Sequence, residues 1–221
     1  MMNQPDMKQH DPHASQPILH SGAALESASM AMIMLHGRGA SADDILGLSQ
    51  EFEHPDLAYL APQAAANAWY PQRFIAPLAA NEPWLSSALA RVASLVTHVV
   101  QAGIPHERIV LLGFSQGACL ALEYAARNAR RYGGVIGLSG GLIGPDGMQR
   151  SDAGSLDGTP VFLGCSDVDF HIPLARVLDA AETLKQLGGS VETRLYPGMG
   201  HTINQDELTY IRSMLGAHSA Q

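Results

Sequence analysis

The sequence predicts an α/β fold, with a mostly parallel central sheet flanked by helices on both faces. Three observations predict it. Apolar runs of strand length alternate with segments of helical periodicity. A Gly-x-Ser-x-Gly turn, Gly113 to Gly117, joins one apolar run directly to a helical pattern. A chain of 221 residues that is 46% hydrophobic and 15% charged can fill one sizeable core and is not the composition of a disordered protein.

The elements follow in order. A short strand is expected around Ile18, Leu19 and His20. Residues 30–35, all apolar, read as a buried strand ending at His36-Gly37. Residues 58–61 form a second buried strand, stopped by Pro62, and residues 108–113 a third. Residues 134–139 and 160–164 follow as strands. The last strand, 191–196, alternates polar and apolar residues and is expected at a sheet edge. Between them, Leu85, Leu89, Val92, Val96 and Val99 mark a helix over 85–101 that stops before Gly103. Further helices are expected over 116–128, 174–187 (ended by Gly188-Gly189) and 204–215. Residues 17–221 form a single domain in this reading, after a polar, mobile tail over 1–16. The loop 140–159 is expected to be solvated. The loop 62–83, with Trp69, Tyr70 and Phe74, is expected to wall a binding site.

Composition excludes several classes of function. The net charge is −8, Lys8 and Lys185 are the only lysines, and the arginines are scattered. That excludes a clustered basic surface for nucleic acid and disfavours an anionic membrane surface. No apolar run approaches a membrane span, so no stable membrane insertion is expected. The first residues lack the basic start and apolar stretch of a secretory signal. Cys119 and Cys165 read as small core residues in a reducing compartment, and the localisation expected is cytoplasmic. His10, His13 and His20 are scattered in or near a polar tail and do not make a metal site; no metal or cofactor is expected.

The chemistry resides in four loops. Between a strand and a helix, the small residues around Ser115 allow a tight turn that presents its hydroxyl at the strand's carboxyl end. A serine hydroxyl is a poor nucleophile and needs a base, which in turn needs an orienting carboxylate. His201, in the glycine-rich loop after the last strand, is the candidate base. His171 is its only local rival, and is expected to line the pocket or pack. Two acids, Asp167 and Asp169, follow the fifth long strand, and spacing does not choose between them. The backbone N–H of Gln116 and that of Arg38, in the His36-Gly37-Arg38-Gly39 loop, are the candidate oxyanion donors. The Arg38 side chain is expected in solvent, and His36 is expected to hold the loop by hydrogen bonds.

Together, His36-Gly37-Arg38-Gly39, Gly113-Phe114-Ser115-Gln116-Gly117, the Asp169-to-Pro173 segment and Gly200-His201 resemble the phospholipase/carboxylesterase family of α/β-hydrolases, which includes the acyl-protein thioesterases. The resemblance runs from about Met30 to the C-terminus. It implies Asp169 as the orienting acid, four positions before a proline, and an esterase acting on a small-molecule ester or thioester without a cofactor. Homodimers are common in such a family. Segments from Ala61 to Pro71 and Asn81 to Pro83 are similar to a bacterial branch, some of whose members accompany ring-cleaving dioxygenases. The chain departs from the family in reading Cys165-Ser166-Asp167 where many relatives have His-Gly-Asp. Competing readings are a non-catalytic binding protein on the same scaffold and a lactone or dienelactone-type hydrolase. The first often lacks the histidine or acid present here; the second typically uses cysteine where Ser115 stands.

Overall fold

A computed structural model describes residues 11–52 and 54–219, with side chains to residue 216. Its centre is a seven-stranded sheet: β1 (Ile18–Gly22), β2 (Met30–Leu35), β3 (Leu57–Pro62), β4 (Ile109–Phe114), β5 (Gly134–Leu138), β6 (Pro160–Ser166) and β7 (Ser190–Tyr196). The spatial order is β1-β3-β2-β4-β5-β6-β7. Only the β1–β3 pair is antiparallel. The alternating strand, β7, is an edge, as its pattern predicts.

Among the described residues, five α-helices pack around the sheet: α1 (Ala42–Leu46), α2 (Trp84–Gln101), α3 (Gln116–Arg127), α4 (Leu174–Gln186) and α5 (Gln205–Ser219). Successive strand residues point to opposite faces, so a strand covered on both sides reads as one apolar run. In β2, Ala31, Ile33 and Leu35 join the core under α2, α3 and α4. Met30, Met32 and Met34 join the opposite core, with Ala42 and Ile45 of α1 and Ile211 and Leu215 of α5. The short α1 went unread in the sequence because five residues carry too little periodicity. It begins in a capping box, Ser41 with Asp44.

Two expectations change. Asp11 to Gln16, expected in the tail, are packed on the domain. His13 is fully buried, its ring nitrogens meeting Trp69 O at 3.0 Å and Ala65 N at 3.1 Å, and Arg91 bonds the carbonyls of Ala14 and Gln16. His13 therefore has no ring nitrogen to spare for a metal. His10 and the rest of the tail lie outside the described residues. The loop 140–159 is buried over 140–144. The cause is Glu123, fully buried on α3, which accepts from Ile143 N at 2.9 Å and from the Arg150 guanidinium at 2.9 Å, drawing the loop onto the helix. A buried carboxylate needs such partners, or it would be left costly and unpaired.

Because β2, β4, β5, β6 and β7 run parallel, the loops after β2, β4, β6 and β7 all leave the same edge of the sheet. Functional groups in α/β sheets gather at that edge.

Candidate active site

The turn between β4 and α3 is strained at one residue. Ser115 has φ 55° and ψ −117°, a conformation that side-chain-bearing residues rarely adopt. The flanking glycines are required by space. A Cβ on Gly113 would lie 2.2 Å from Gly117 O, and one on Gly117 would lie 2.0 Å from Leu35 O. The turn is anchored by Ser115 N–H donating to Leu138 O at 2.9 Å, which ties it to β5. Gln116, the first residue of α3, has no carbonyl one turn earlier in the helix for its N–H.

His201 Nε2 lies 2.8 Å from Ser115 Oγ, and its Nδ1 lies 2.7 Å from Asp169 Oδ2. The other oxygen of Asp169 accepts the N–H groups of His171 at 2.8 Å and Ile172 at 3.0 Å. Burial raises the pKa of Asp169, but the bonds from His201, Ile172 and His171 outweigh it and hold the carboxyl below its usual value. An ionised carboxylate can only accept, so Nδ1 carries the proton and Nε2 is left to accept from the serine hydroxyl. Residues 115, 169 and 201 thus meet in one hydrogen-bonded line.

Asp167 is exposed, and its Oδ1 accepts Gly198 N at 2.8 Å. Ser166 Oγ accepts Val168 N at 3.2 Å and Gly200 N at 3.1 Å. These two residues fasten the histidine loop to the acid loop. The Ser166 hydroxyl gives the departure from His-Gly-Asp a use, since a glycine there offers no acceptor.

A cavity of about 410 Å³ opens in front of Ser115. Tyr70, Phe74 and His171 line it, as do Phe114 and Arg73, which the sequence did not single out, and Cys119, which it placed in the core. His171 stands edge-on to His201, with ring centroids 4.7 Å apart. Trp69 is not in the wall. It is fully buried, its indole N–H donating to His36 O at 2.9 Å. The aromatic loop is held from three sides. The Gln116 side chain accepts Trp69 N and donates to Tyr70 O, both at 2.8 Å. Arg38 lies at the surface, yet its guanidinium is spent on the carbonyls of Tyr70, Pro71 and Gln72, at 2.6 to 2.8 Å. His36, fully buried, accepts Ala64 N at 3.0 Å on Nε2 and so donates from Nδ1 to Gly37 O at 2.8 Å. Desolvation keeps its pKa low, which suits this neutral, bridging role. Such side-chain clamps span about thirty to fifty positions and leave no local pattern to read.

Cys119, one turn beyond Ser115, is the other nucleophile type in the wall. Burial pushes its thiol up to about 12, so it is not the thiolate that attack requires.

The histidine loop also rests on Glu207. Asn204 and Glu207 bond reciprocally at the start of α5, Asn204 N to Oε2 at 2.8 Å and Glu207 N to Asn204 Oδ1 at 3.0 Å. Glu207 is fully buried, and its Oε1 faces Gly164 with no hydrogen-bond partner among the described residues. Burial pushes its carboxyl to about 7, against the Asn204 bond, which lowers it. Between its ordinary value and about 7, the native state holds a proton that the unfolded chain has lost. Native stability from this group therefore falls as pH rises through that window, by on the order of 3 kcal/mol. Urea unfolding of the wild type and Glu207→Gln from about pH 5 to about pH 8 should show the variant gaining on the wild type as pH rises. A constant difference would mean that the carboxyl does not titrate there.

Comparison with known proteins agrees along the chain. Residues 22–219 match the family model described as Phospholipase/Carboxylesterase. An acyl-protein thioesterase 1 of Saccharomyces cerevisiae is 27% identical over 218 residues, 89% of this chain and 96% of that protein. One from Gibberella zeae is 36% identical over 126 residues, 55% of this chain and 53% of that protein. The crystal structure of a phospholipase/carboxylesterase from Dyadobacter fermentans superposes with TM-score 0.88 at 43% identity, covering 91% of this chain and 97% of that one. Among the described residues, no helix is long and apolar enough to cross a membrane. With a family match over most of its length and a close structural relative, the chain belongs to the phospholipase/carboxylesterase family of α/β-hydrolases.

Proposed function

We propose that this hydrolase cleaves carboxylic esters, and thioesters, of small or medium acyl groups through a Ser115–His201–Asp169 triad and an acyl-enzyme. Ser115 Oγ attacks the carbonyl carbon while His201 Nε2 takes its proton. The resulting oxyanion is held by the backbone N–H groups of Gln116 and Arg38, aided by the amino end of α3. His201 then passes the proton to the departing alcohol or thiol as the acyl bond breaks. Water, deprotonated by His201, resolves the acyl-enzyme, and Ser115 leaves reprotonated. Asp169 keeps the ring in the correct tautomer throughout.

The observation that carries this reading is the hydrogen-bonded line from Ser115 Oγ to Asp169, at 2.8 Å and 2.7 Å, beside the cavity of about 410 Å³. A volume of that order suits a small or medium substrate. The free, buried thiols Cys119 and Cys165 fit a reducing cytoplasm.

The test is labelling with a fluorophosphonate followed by peptide mass analysis. One adduct is expected, on the peptide bearing Ser115. A folded protein with an unmodified Ser115 would favour a binding protein and end the catalytic account.

A further inference from the structure

The active-site cavity has an electrical sign opposite to that of the molecule around it. The chain carries 21 Asp and Glu against 13 Lys and Arg. Among the described residues, no Asp or Glu lines the cavity, whereas Arg38 and Arg73 do. The nearest acid to the chemistry, Asp169, is buried behind the His201 ring.

The two arginines differ in what they have left to offer. The Arg38 guanidinium is engaged by three backbone carbonyls. The Arg73 guanidinium has no hydrogen-bond or ion-pair partner among the described residues, where every other arginine is engaged. Its backbone, by contrast, is fixed. Asn81, fully buried, accepts Gln72 N at 2.8 Å and donates to Arg73 O at 3.3 Å, and Ala76 N donates to the same carbonyl at 3.0 Å. The next residue, Phe74, is buried in the cavity wall. A rigid rim thus carries one cation with all five of its donors unused, and a guanidinium offers carboxylates a two-pronged fit.

We infer that Arg73 is a specificity-determining residue, and that the preferred substrates are esters bearing a carboxylate away from the scissile bond. The inference rests on the hydrolase reading and refines it. The carboxylate pairs with Arg73 while the ester carbonyl meets Ser115. In a protein of net negative charge, the local positive lining also offsets the repulsion that an anionic substrate meets on approach. The gain falls mainly on binding, because the pair forms in the ground state and persists into the transition state.

Two pairs of esters test this and separate the two positions for the anion. In one, 4-acetoxybenzoate against its methyl ester, the carboxylate sits on the leaving group. In the other, mono-4-nitrophenyl adipate against its methyl ester, it sits on the acyl group. The wild type should prefer the anion in at least one pair. Arg73→Gln should reduce that anion-to-neutral ratio of kcat/KM roughly tenfold, chiefly through KM, and Arg73→Lys should restore part of it. The wild-type preference should also shrink as salt is raised. A wild type indifferent to the charge, or an Arg73→Gln ratio equal to that of the wild type in both pairs, would overturn the inference while leaving the hydrolase reading intact. Failure of the wild type to cleave any of the four would overturn the hydrolase reading, and the inference with it.

Discussion

Ser115→Ala is expected to lower kcat/KM for 4-nitrophenyl acetate by roughly 10⁴- to 10⁶-fold while leaving the fold in place. The size follows from the absence of a substitute. The hydroxyl is 2.8 Å from the His201 imidazole, and among the described residues no other nucleophile shares that contact. The Cys119 thiol is pushed to about 12 by burial, and burial likewise raises the Tyr70 phenol well above its ordinary value. In the proposed mechanism, what remains after the substitution is the oxyanion site and substrate binding, the sources of a residual rate over water. Stability should hardly change, because the Ser115 side chain makes no capping bond to α3 and its strained backbone is common to both residues. The measurements are ester hydrolysis and a thermal melt. Near-normal turnover by a variant with a normal melting transition would refute the nucleophile.

Asp169→Asn should cost roughly 10³- to 10⁴-fold in kcat, and Asp167→Asn no more than about threefold. The contrast comes from hydrogen-bond bookkeeping around each side chain. Asp169 Oδ1 accepts two backbone N–H groups, so an asparagine there must keep its carbonyl oxygen at that position. Its NH₂ then faces His201 Nδ1, which is forced to accept. The ring proton moves to Nε2, which faces Ser115 and can no longer take its proton. At position 167 the side chain only accepts Gly198 N, and an amide oxygen does the same. Steady-state kinetics on the two variants settles the ranking. If Asp167→Asn proves the more damaging, the orienting acid has been misassigned.

Much of this architecture was legible in the residues. The buried strands announce themselves as unbroken apolar runs because both faces are covered, and β7 as an alternating one because it is an edge. The turn at Ser115 was readable because two glycines are needed within five residues, one against Gly117 O and the other against Leu35 O. Spacing did not choose between Asp167 and Asp169, since both lie on the same short loop; the hydrogen bonds around them set the two apart.

Other features had no local signature. Trp69 looked like a pocket wall by its aromatic character, yet the bond from its indole to His36 O draws it inward and leaves Tyr70 and Phe74 facing the cavity. His13 looked like part of a loose tail, but its ring fits between Trp69 and Trp84. The burial of residues 140–144 depends on Glu123, and the isolation of Arg73 depends on where the acids among the described residues come to rest. The residues by themselves determined the strands, the longer helices and the tight turn at Ser115, because side-chain periodicity and backbone sterics act over a few neighbouring positions. The tertiary structure alone decided which carboxylate meets the imidazole, which aromatic ring faces substrate and which arginine is left unpaired. Each of those outcomes depends on partners tens of positions apart, brought within hydrogen-bond reach only when the sheet and its helices close around a shared core.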